Sequence, residues 1–231
     1  MDGLIKELKR LSSASPLENF HWDIPHNCPI TIPEEHKSGY RKNIYLKENF
    51  KETLLKDETL RSHYWAVQDW GGIGSFKKND KNDKRIQKFL CELEEGALTK
   101  NTFECISSLS KIASFMNPDK YAIYDSRAIY TLNWLIFNHS SSAELFPQPI
   151  GRSADLSKYD MQTIFRLTKR PFNYRSHKVA FHQYCHLLRG LTLQVFGENS
   201  KPYKVEMLLF MVAPTSIVGQ IESSVSLTIN A

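Results

Sequence analysis

The sequence predicts a mainly α-helical fold, and three observations support that prediction. Apolar residues recur every three or four positions along most of the 231-residue chain, which is the spacing of one helix face. The alternation typical of a strand is weak throughout, with its clearest example at 224–229. Gly71, Gly96 and Pro118 end periodic segments in the way that these residues end helices. The length suits one domain or two tightly packed lobes.

The first half of the chain contains most of the predicted helices with clear ends. An N-terminal helix is predicted from one apolar stripe formed by Leu4, Leu8 and Leu11. Four prolines make the segment 15–40 an irregular arm. Helices are then predicted over 44–55, 60–70 and 99–116, the last with a break near 107–108. A further helix is predicted to begin after an N-cap at Asn82 or Asp83 and to end at 95.

The second half continues the helical pattern. Helices are predicted over 125–137, 157–167, 175–196 and 202–212, with a loop over 139–155 and either a strand or a frayed tail over 224–229. We expect a two-lobed helical bundle. One lobe covers 40–140, and the other combines 1–39 with 141–231.

Composition restricts the function classes less than it restricts the fold. A formal net charge of +5 permits nucleic acid as a partner without requiring it. The four cysteines are widely spaced and form no Cys-x-x-Cys, which predicts reduced, buried thiols and a cytoplasmic protein. No apolar run approaches the ~18 residues of a membrane span, so we expect no membrane partner. We also expect the protein to be a monomer.

The stretch 110–127 is the most informative part of the chain. It contains Lys111, an Asn-Pro-Asp turn at 117–119, a short apolar run and then Asp125 at a predicted helix start. Spacing alone favours an N-cap role for Asp125, because aspartate is among the best capping residues. A carboxylate held at a helix start could also stabilise a sugar cation or activate a nucleophile. The two interpretations are compatible.

From Lys111 to Leu132 the chain resembles the catalytic core of the helix-hairpin-helix DNA glycosylases, particularly the 8-oxoguanine branch. The segment 110–113 is similar to the start of that family's lysine-bearing helix, and 121–125 to its apolar run ending in an aspartate. The resemblance directly covers about a tenth of the chain. The family's hairpin usually has two glycines before the lysine, whereas this chain has serines at 107, 108 and 110.

The resemblance implies a two-lobed, helix-hairpin-helix glycosylase fold and excision of a damaged or modified base from double-stranded DNA. Asp125 and Lys111 are the implied catalytic residues, and no metal or cofactor is implied. Lys111 would attack the sugar C1′ and form a Schiff base, which gives AP lyase activity. If Lys111 is instead a solvated helix lysine, Asp125 would act with water and the enzyme would be monofunctional.

Further candidates follow from residue type and position. The predicted DNA-binding residues are Ser107, Ser108, Ser110, Arg127, Lys77, Lys78, Lys81 and Arg170. The predicted base-pocket residues are Trp65, Trp70, Phe172 and Tyr174, with Trp22 and Trp134 as further tryptophans that could stack on a base. For both basic loops, 71–85 and 169–175, residue type favours a solvated connection over a nucleic acid contact. His182, Cys185 and His186 share a helix face, and ordinary helix packing is favoured there over zinc binding.

Two other functions stay open at this point. A non-catalytic DNA-binding relative would keep the fold and use Asp125 only as a cap. A protein-interaction module would have no nucleic acid partner. For the enzyme, the excised base could be an oxidised purine, an alkylated base or a bulky modified cytosine of phage DNA, in repair or in antiviral defence.

Overall fold

The fold is mainly α-helical, as predicted. The computed structural model describes residues 1–141, 144–151 and 153–225. Helix accounts for 63% of the chain and strand for 2%, which confirms the predicted class at this coarse level.

The helices follow one another in the order that the apolar periodicity suggests. They are α1 (Asp2–Ala14), α2 (Gly39–Asn49), α3 (Lys51–Lys56), α4 (Arg61–Gln68), α5 (Asp80–Glu95), α6 (Lys100–Phe103), α7 (Ile106–Met116), α8 (Ser126–His139), α9 (Ala154–Ser157), α10 (Met161–Leu167), α11 (His177–Phe196), α12 (Tyr203–Val212) and α13 (Val218–Ser224). A 3₁₀ turn covers Leu17–Asn19 in the irregular arm. Two short strands, β1 (Glu144–Leu145) and β2 (Asn173–Tyr174), pair in parallel.

The main core forms around α8. Most of α8 is buried, and it packs against α1 and α12, while α12 also packs against α11. The stripe of Leu4, Leu8 and Leu11 is fully buried here, as its spacing predicted. A smaller cluster joins α2, α3, α4 and α7 through residues such as Phe50, Trp65 and Phe115. The division into lobes at 39 and 140 stays a prediction.

Several predicted element boundaries are wrong. The predicted helix 157–167 is divided between α9 and α10, and α9 begins within the predicted loop 139–155. The segment 44–55 forms two helices that meet at Phe50, whose ring is fully buried in the smaller cluster. The N-cap of α5 is Asn79, whose side chain accepts a hydrogen bond from the N–H of Asn82 at 3.0 Å. The break in 99–116 lies at 104–105, so that 107 and 108 belong to the first turn of α7.

The last helix extends well beyond its predicted end at 212. A π-helical segment, Ala213–Ile217, connects α12 to α13 and contains Pro214, whose missing N–H the wider turn accommodates. In the described part of the chain, Tyr203–Ser224 is the one helix long and apolar enough to span a bilayer, although 56% of its apolar window is buried inside the protein. Residues 226–229 of the predicted strand or tail lie outside the described residues.

Candidate active site

The stretch 110–127 folds so that its lysine and its aspartate reach the same cleft. A turn at 117–120 reverses the chain after α7, with the N–H of Tyr121 bonded to the Asn117 carbonyl at 2.9 Å. The run 121–124 then returns alongside α7 as buried, extended chain. The Tyr124 N–H donates to Ser110 Oγ at 3.0 Å and fixes this run against α7. Asp125 follows at once and begins α8.

We name this site the lysine cleft. It has a volume of about 630 Å³, and its lining includes Lys111, Asp125, Arg127, the segment 71–73, the segment 103–108 and the segment 148–151. A recess of about 50 Å³ adjoins it and shares Trp22, Gly71, Lys111, Asp125 and Phe210 with it. The cleft and the recess therefore share Lys111 and Asp125, the two residues that the sequence predicts to be catalytic.

Lys111 is held closely by its surroundings. Only 5% of the residue is exposed, and its Nζ donates to the Ser107 carbonyl at 2.8 Å. The aliphatic stem crosses Gly71, where an added Cβ would lie 2.5 Å from Lys111 Cδ and 2.6 Å from Cε. Such distances are far inside van der Waals contact, so this path of the lysine requires glycine at position 71. Lys111 is thus not a solvated surface lysine.

Asp125 is the N-cap of α8, as its spacing predicted. Its Oδ1 accepts a hydrogen bond from the Arg127 N–H at 2.8 Å. The same residue lines both the cleft and the recess, so capping does not remove it from the site. The first turn of α7 also lines the cleft. Two helix N-termini, each the positive end of a helix dipole, therefore line one cleft, which favours a bound anion.

The recess has aromatic walls. Phe20, Trp22, Trp70 and Phe210 line it, and the Trp22 ring lies edge-on to Phe210 at 5.5 Å and to Trp70 at 6.3 Å. Trp22 comes from the irregular arm, and its Nε1 donates to the Trp70 carbonyl at 2.8 Å. These rings offer flat apolar faces next to Lys111 and Asp125.

A buried ion pair lies at the recess. Glu206 of α12 lines it, and Glu206 Oε2 is 3.4 Å from Lys47 Nζ of α2. Both side chains are almost completely buried. Burial raises the pKa of Glu206, with Asp125 adding to the effect, while Lys47 and the Ile123 N–H oppose it. Burial lowers the pKa of Lys47, and Glu206 opposes that shift. Each of the two residues therefore favours the charged form of the other.

Six of the predicted site residues meet at this cleft and recess. They are Asp125, Lys111, Ser107, Ser108, Arg127 and Trp70. Ser107 Oγ is buried without a hydrogen-bond partner among the described residues, at the position where the resembling family usually has glycine. The Arg127 guanidinium lies 4.7 Å from the Phe210 ring centroid, so its charge is held at the edge of the aromatic wall.

Three predicted residues have internal roles instead. Ser110 is fully buried, and its hydroxyl is used by Tyr124, so no phosphate reaches it. Trp65 lies in the smaller cluster and donates its indole N–H to Asn27 Oδ1 at 3.0 Å. Arg170 donates to the Phe137 and Ser140 carbonyls and thereby satisfies the C-terminal end of α8.

The remaining predicted residues lie outside the lysine cleft. Lys77, Lys78 and Lys81 are exposed around the start of α5, and Lys78 donates to the Thr59 carbonyl at 2.7 Å. Phe172 packs on Phe165 and on Phe137 in the main core. Tyr174 lines a neighbouring cleft.

Five residues that line the recess were not among the predicted site residues: Phe20, Gly71, Ile123, Glu206 and Phe210. Glu206 did carry a signal, because it is the one charged residue in the apolar run from Val205 to Phe210. A carboxylate in such a run is either paired or functional. The sequence marks Gly71 as a helix stop at the start of a basic loop, whereas its contact with Lys111 depends on tertiary packing.

No metal site emerges from the described residues, which contain no group of three or more His, Cys, Asp and Glu side chains able to hold a metal ion. All four cysteines are free, but only Cys185 is buried and Cys91 is exposed, so the prediction of buried thiols is wrong for Cys91. His182, Cys185 and His186 lie on α11, and Cys185 packs against the Ala122 backbone.

Comparison with known proteins adds no relative. No protein-family model matches the chain, and neither a curated protein nor a solved structure is significantly similar to it. The features that bear on function are therefore the geometry of the lysine cleft and the residues from 110 to 127.

Proposed function

We propose that this protein is a DNA glycosylase of the helix-hairpin-helix type that excises a damaged or modified base. One observation carries the proposal: a buried lysine and a helix-capping aspartate line a single cleft beside an aromatic recess. An amine and an acid in that arrangement suit attack at a sugar carbon, and aromatic faces suit the base that leaves.

Three features of the cleft support DNA as the substrate. The N-termini of α7 and α8 favour phosphate, and Arg127 adds a cation at the rim. Ile150 lines the same cleft on the loop 147–151 and is 97% exposed. An exposed apolar side chain beside the cleft is suited to fill the gap that an extruded base leaves in the duplex.

The chemistry follows from Asp125 and Lys111. As the glycosidic bond lengthens, the carboxylate of Asp125 stabilises the positive charge that develops on the deoxyribose. The neutral amine of Lys111 forms a bond to C1′, while the electron pair of the glycosidic bond leaves with the base, which is then protonated. Asp125 is the acceptor for the proton that Lys111 must lose before it attacks. Ring opening then gives the Schiff base of a bifunctional enzyme.

Conversion of Asp125 to asparagine tests the proposal. Asparagine caps helices about as well as aspartate, so Asp125→Asn keeps α8 intact while it removes the carboxylate charge. We expect base release from a panel of oxidised, alkylated and virus-modified duplexes, measured by mass spectrometry, to fall by about 10²–10⁴-fold in this variant. The matched control is Asp160→Asn at the N-cap of α10. No release by the unmodified protein, or equal release by Asp125→Asn, contradicts the proposal.

Borohydride reduction tests the role of Lys111. A Schiff base with DNA becomes a stable covalent adduct on reduction, and we expect this adduct in the unmodified protein but not in Lys111→Met. Methionine preserves the apolar stem that crosses Gly71. Lys120→Met removes an exposed lysine of the same segment and should leave the adduct unchanged. Base release without any adduct would assign the attack to water and make the enzyme monofunctional.

A non-catalytic DNA-binding protein is the second candidate. The cap bond of Asp125 and the bond from Lys111 to the Ser107 carbonyl favour it, because both side chains have structural partners. It predicts salt-dependent binding of duplex DNA without release of any base. A titration that shows no affinity for DNA at low salt contradicts both candidates.

A further inference from the structure

The lysine cleft and two further cavities follow one another along the protein surface. The neighbouring cleft has a volume of about 650 Å³ and shares the loop 148–151 with the lysine cleft. A third cavity of about 480 Å³, which we name the basic groove, is lined by Gln162, Arg166 and the segment 169–174. The neighbouring cleft and the basic groove share Gln162 and Tyr174. The chemistry proposed above uses only the first of these three cavities.

The charge of the lining changes along this row of cavities. The lysine cleft has Arg127 and the N-termini of α7 and α8 in its lining. At the other end, the basic groove has Arg166 and Lys169, which are both exposed. Between them, Asp160 is the one charged residue in the described lining of the neighbouring cleft. Phosphate groups are therefore favoured at the two ends of the row and disfavoured in its middle.

The middle of the row offers an aromatic ring instead of a cation. Tyr174 lines both the neighbouring cleft and the basic groove, and 36% of the residue is exposed. Its backbone belongs to β2, which pairs with β1, and the Arg175 N–H donates to the Leu145 carbonyl at 2.8 Å. The ring of Phe172 lies edge-on to Tyr174 at 5.7 Å. Tyr174 is therefore a partly exposed ring on a fixed backbone, which suits stacking of a nucleobase.

This arrangement accounts for the alternation of cations and aromatic residues over 169–175. Arg170 donates to two carbonyls at the end of α8, and Phe172 packs in the main core, so both have structural partners. Lys169 and Tyr174 are exposed and line the basic groove. The segment thus presents one cation and one aromatic ring to the same cavity.

We infer that the neighbouring cleft and the basic groove bind an unpaired DNA strand that continues from the lysine cleft. A base of this strand stacks on Tyr174, and its phosphates contact Arg166 and Lys169. The bases inside a duplex are already stacked on both faces, so only an unpaired strand offers a base to this ring. The inference rests on the proposed glycosylase function for the DNA in the lysine cleft. It narrows the substrate to a modified base beside a single-stranded segment.

Binding of three matched DNAs tests the inference. Each contains a tetrahydrofuran residue, a stable abasic analogue, in place of the nucleotide that loses its base. One DNA is fully paired, and the other two leave about five nucleotides unpaired on the 5′ or on the 3′ side of the analogue. We expect one of the unpaired flanks to lower the dissociation constant by roughly tenfold for a single stacked base. Fluorescence anisotropy at fixed salt concentration measures the three dissociation constants.

Two variants assign the effect to the proposed contacts. Tyr174→Leu removes the stacking ring, so it should lose the roughly tenfold gain and bind the fully paired DNA as before. Arg166→Gln should lower the slope of log affinity against log salt by about 0.7 on the flanked DNA. Tyr45→Leu and Arg189→Gln lie outside the described lining of the three cavities and should keep both properties. Thermal unfolding verifies that the variants are folded.

The outcomes separate this inference from the proposed function. Equal affinity for the paired DNA and both flanked DNAs overturns the inference and leaves the glycosylase function standing. A gain that persists in folded Tyr174→Leu also overturns it, because the strand would then lie elsewhere. If Tyr174→Leu does not fold, the ratio of dissociation constants in the unmodified protein decides. Release of no base from paired or flanked DNA contradicts the glycosylase function, whereas the ratio still decides whether an unpaired strand is bound.

Discussion

Two clefts of nearly equal volume share one wall in this molecule. The lysine cleft has about 630 Å³, and the second, which we name the tyrosine cleft after Tyr130, Tyr159 and Tyr174 in its lining, has about 650 Å³. The loop 148–151 lines both of them. Each also contains an aspartate that caps a helix through a 2.8 Å bond from a backbone N–H: Asp125 in the first and Asp160 in the second.

The difference lies in what surrounds each aspartate. Asp125 is half-buried and shares its cleft with Lys111, Arg127 and a second helix N-terminus. Asp160 is exposed, and the described lining of the tyrosine cleft includes no lysine or arginine. Burial there raises the pKa of Tyr130, whose hydroxyl donates to the Tyr159 carbonyl, so this phenol is a poor acid. A capping aspartate thus becomes a candidate catalyst only through neighbours that tertiary packing supplies.

Replacement of each capping aspartate by alanine should give the largest difference between the two clefts. Loss of the cap should lower the free energy of unfolding by about 1 kcal/mol in both Asp125→Ala and Asp160→Ala. Base release should fall by about 10²–10⁴-fold in Asp125→Ala alone, because the proposed mechanism assigns only that carboxylate to the sugar. Denaturant unfolding and single-turnover release measure the two effects. Equal losses of release in both variants would show that the caps matter only for stability.

Gly71→Ala tests the contribution of Lys111, the neighbour of Asp125 that has no counterpart in the described lining around Asp160. The new Cβ would meet the stem of Lys111 and the Val67 carbonyl at 2.5–2.6 Å. We expect a loss of about 1–3 kcal/mol of stability from this overpacking. Displacement of the lysine by about an ångström should lower release by roughly 10²-fold.

Gly74→Ala is the control for this change, since an added Cβ there meets nothing within 4 Å. Thermal unfolding and release should both match the unmodified protein within error. A normal rate in Gly71→Ala would mean that the path of Lys111 over position 71 does not affect catalysis.

Ile150→Ser addresses the wall that both clefts share, and its expected effect is the smallest. The side chain is 97% exposed, so the melting temperature should not change. Release from a duplex should fall by about tenfold, because a serine fills the space of an extruded base poorly. Release from single-stranded DNA should stay the same, since no stacked partner strand has to be opened. An equal loss on both substrates would place Ile150 in binding rather than in base extrusion.

The sequence predicts local features of this fold well. The buried stripe of α1, the end of α7 before Pro118 and the cap at Asp125 each depend on residues within a few positions of one another. The predicted break at 107–108 was wrong because serines in the first turn of a helix do not indicate a boundary. The continuation of the last helix past Pro214 depends on a π-helical segment that periodicity does not reveal.

The site was predictable only where it is local. Lys111 and Asp125 lie 14 positions apart, on either side of the turn at 117–120. This turn brings both residues to one cleft. The recess combines residues from the arm, from the loop after α4, from α7 and from α12, so no window of sequence contains it. Trp65 and Trp70 illustrate the limit: they lie five positions apart around the end of α4, and only the second lines the recess.

Asn43 couples the aromatic wall to the fold. It is fully buried, and its amide donates to the Trp22 carbonyl at 2.8 Å while its Oδ1 accepts from the Trp70 indole at 2.9 Å. One side chain thus clamps both tryptophans, and the arm that carries Trp22 has little regular structure of its own. Movement of Trp22 away from the recess must therefore break its bond to Asn43 and its own bond to the Trp70 carbonyl, and hydrogen exchange at the arm measures that opening.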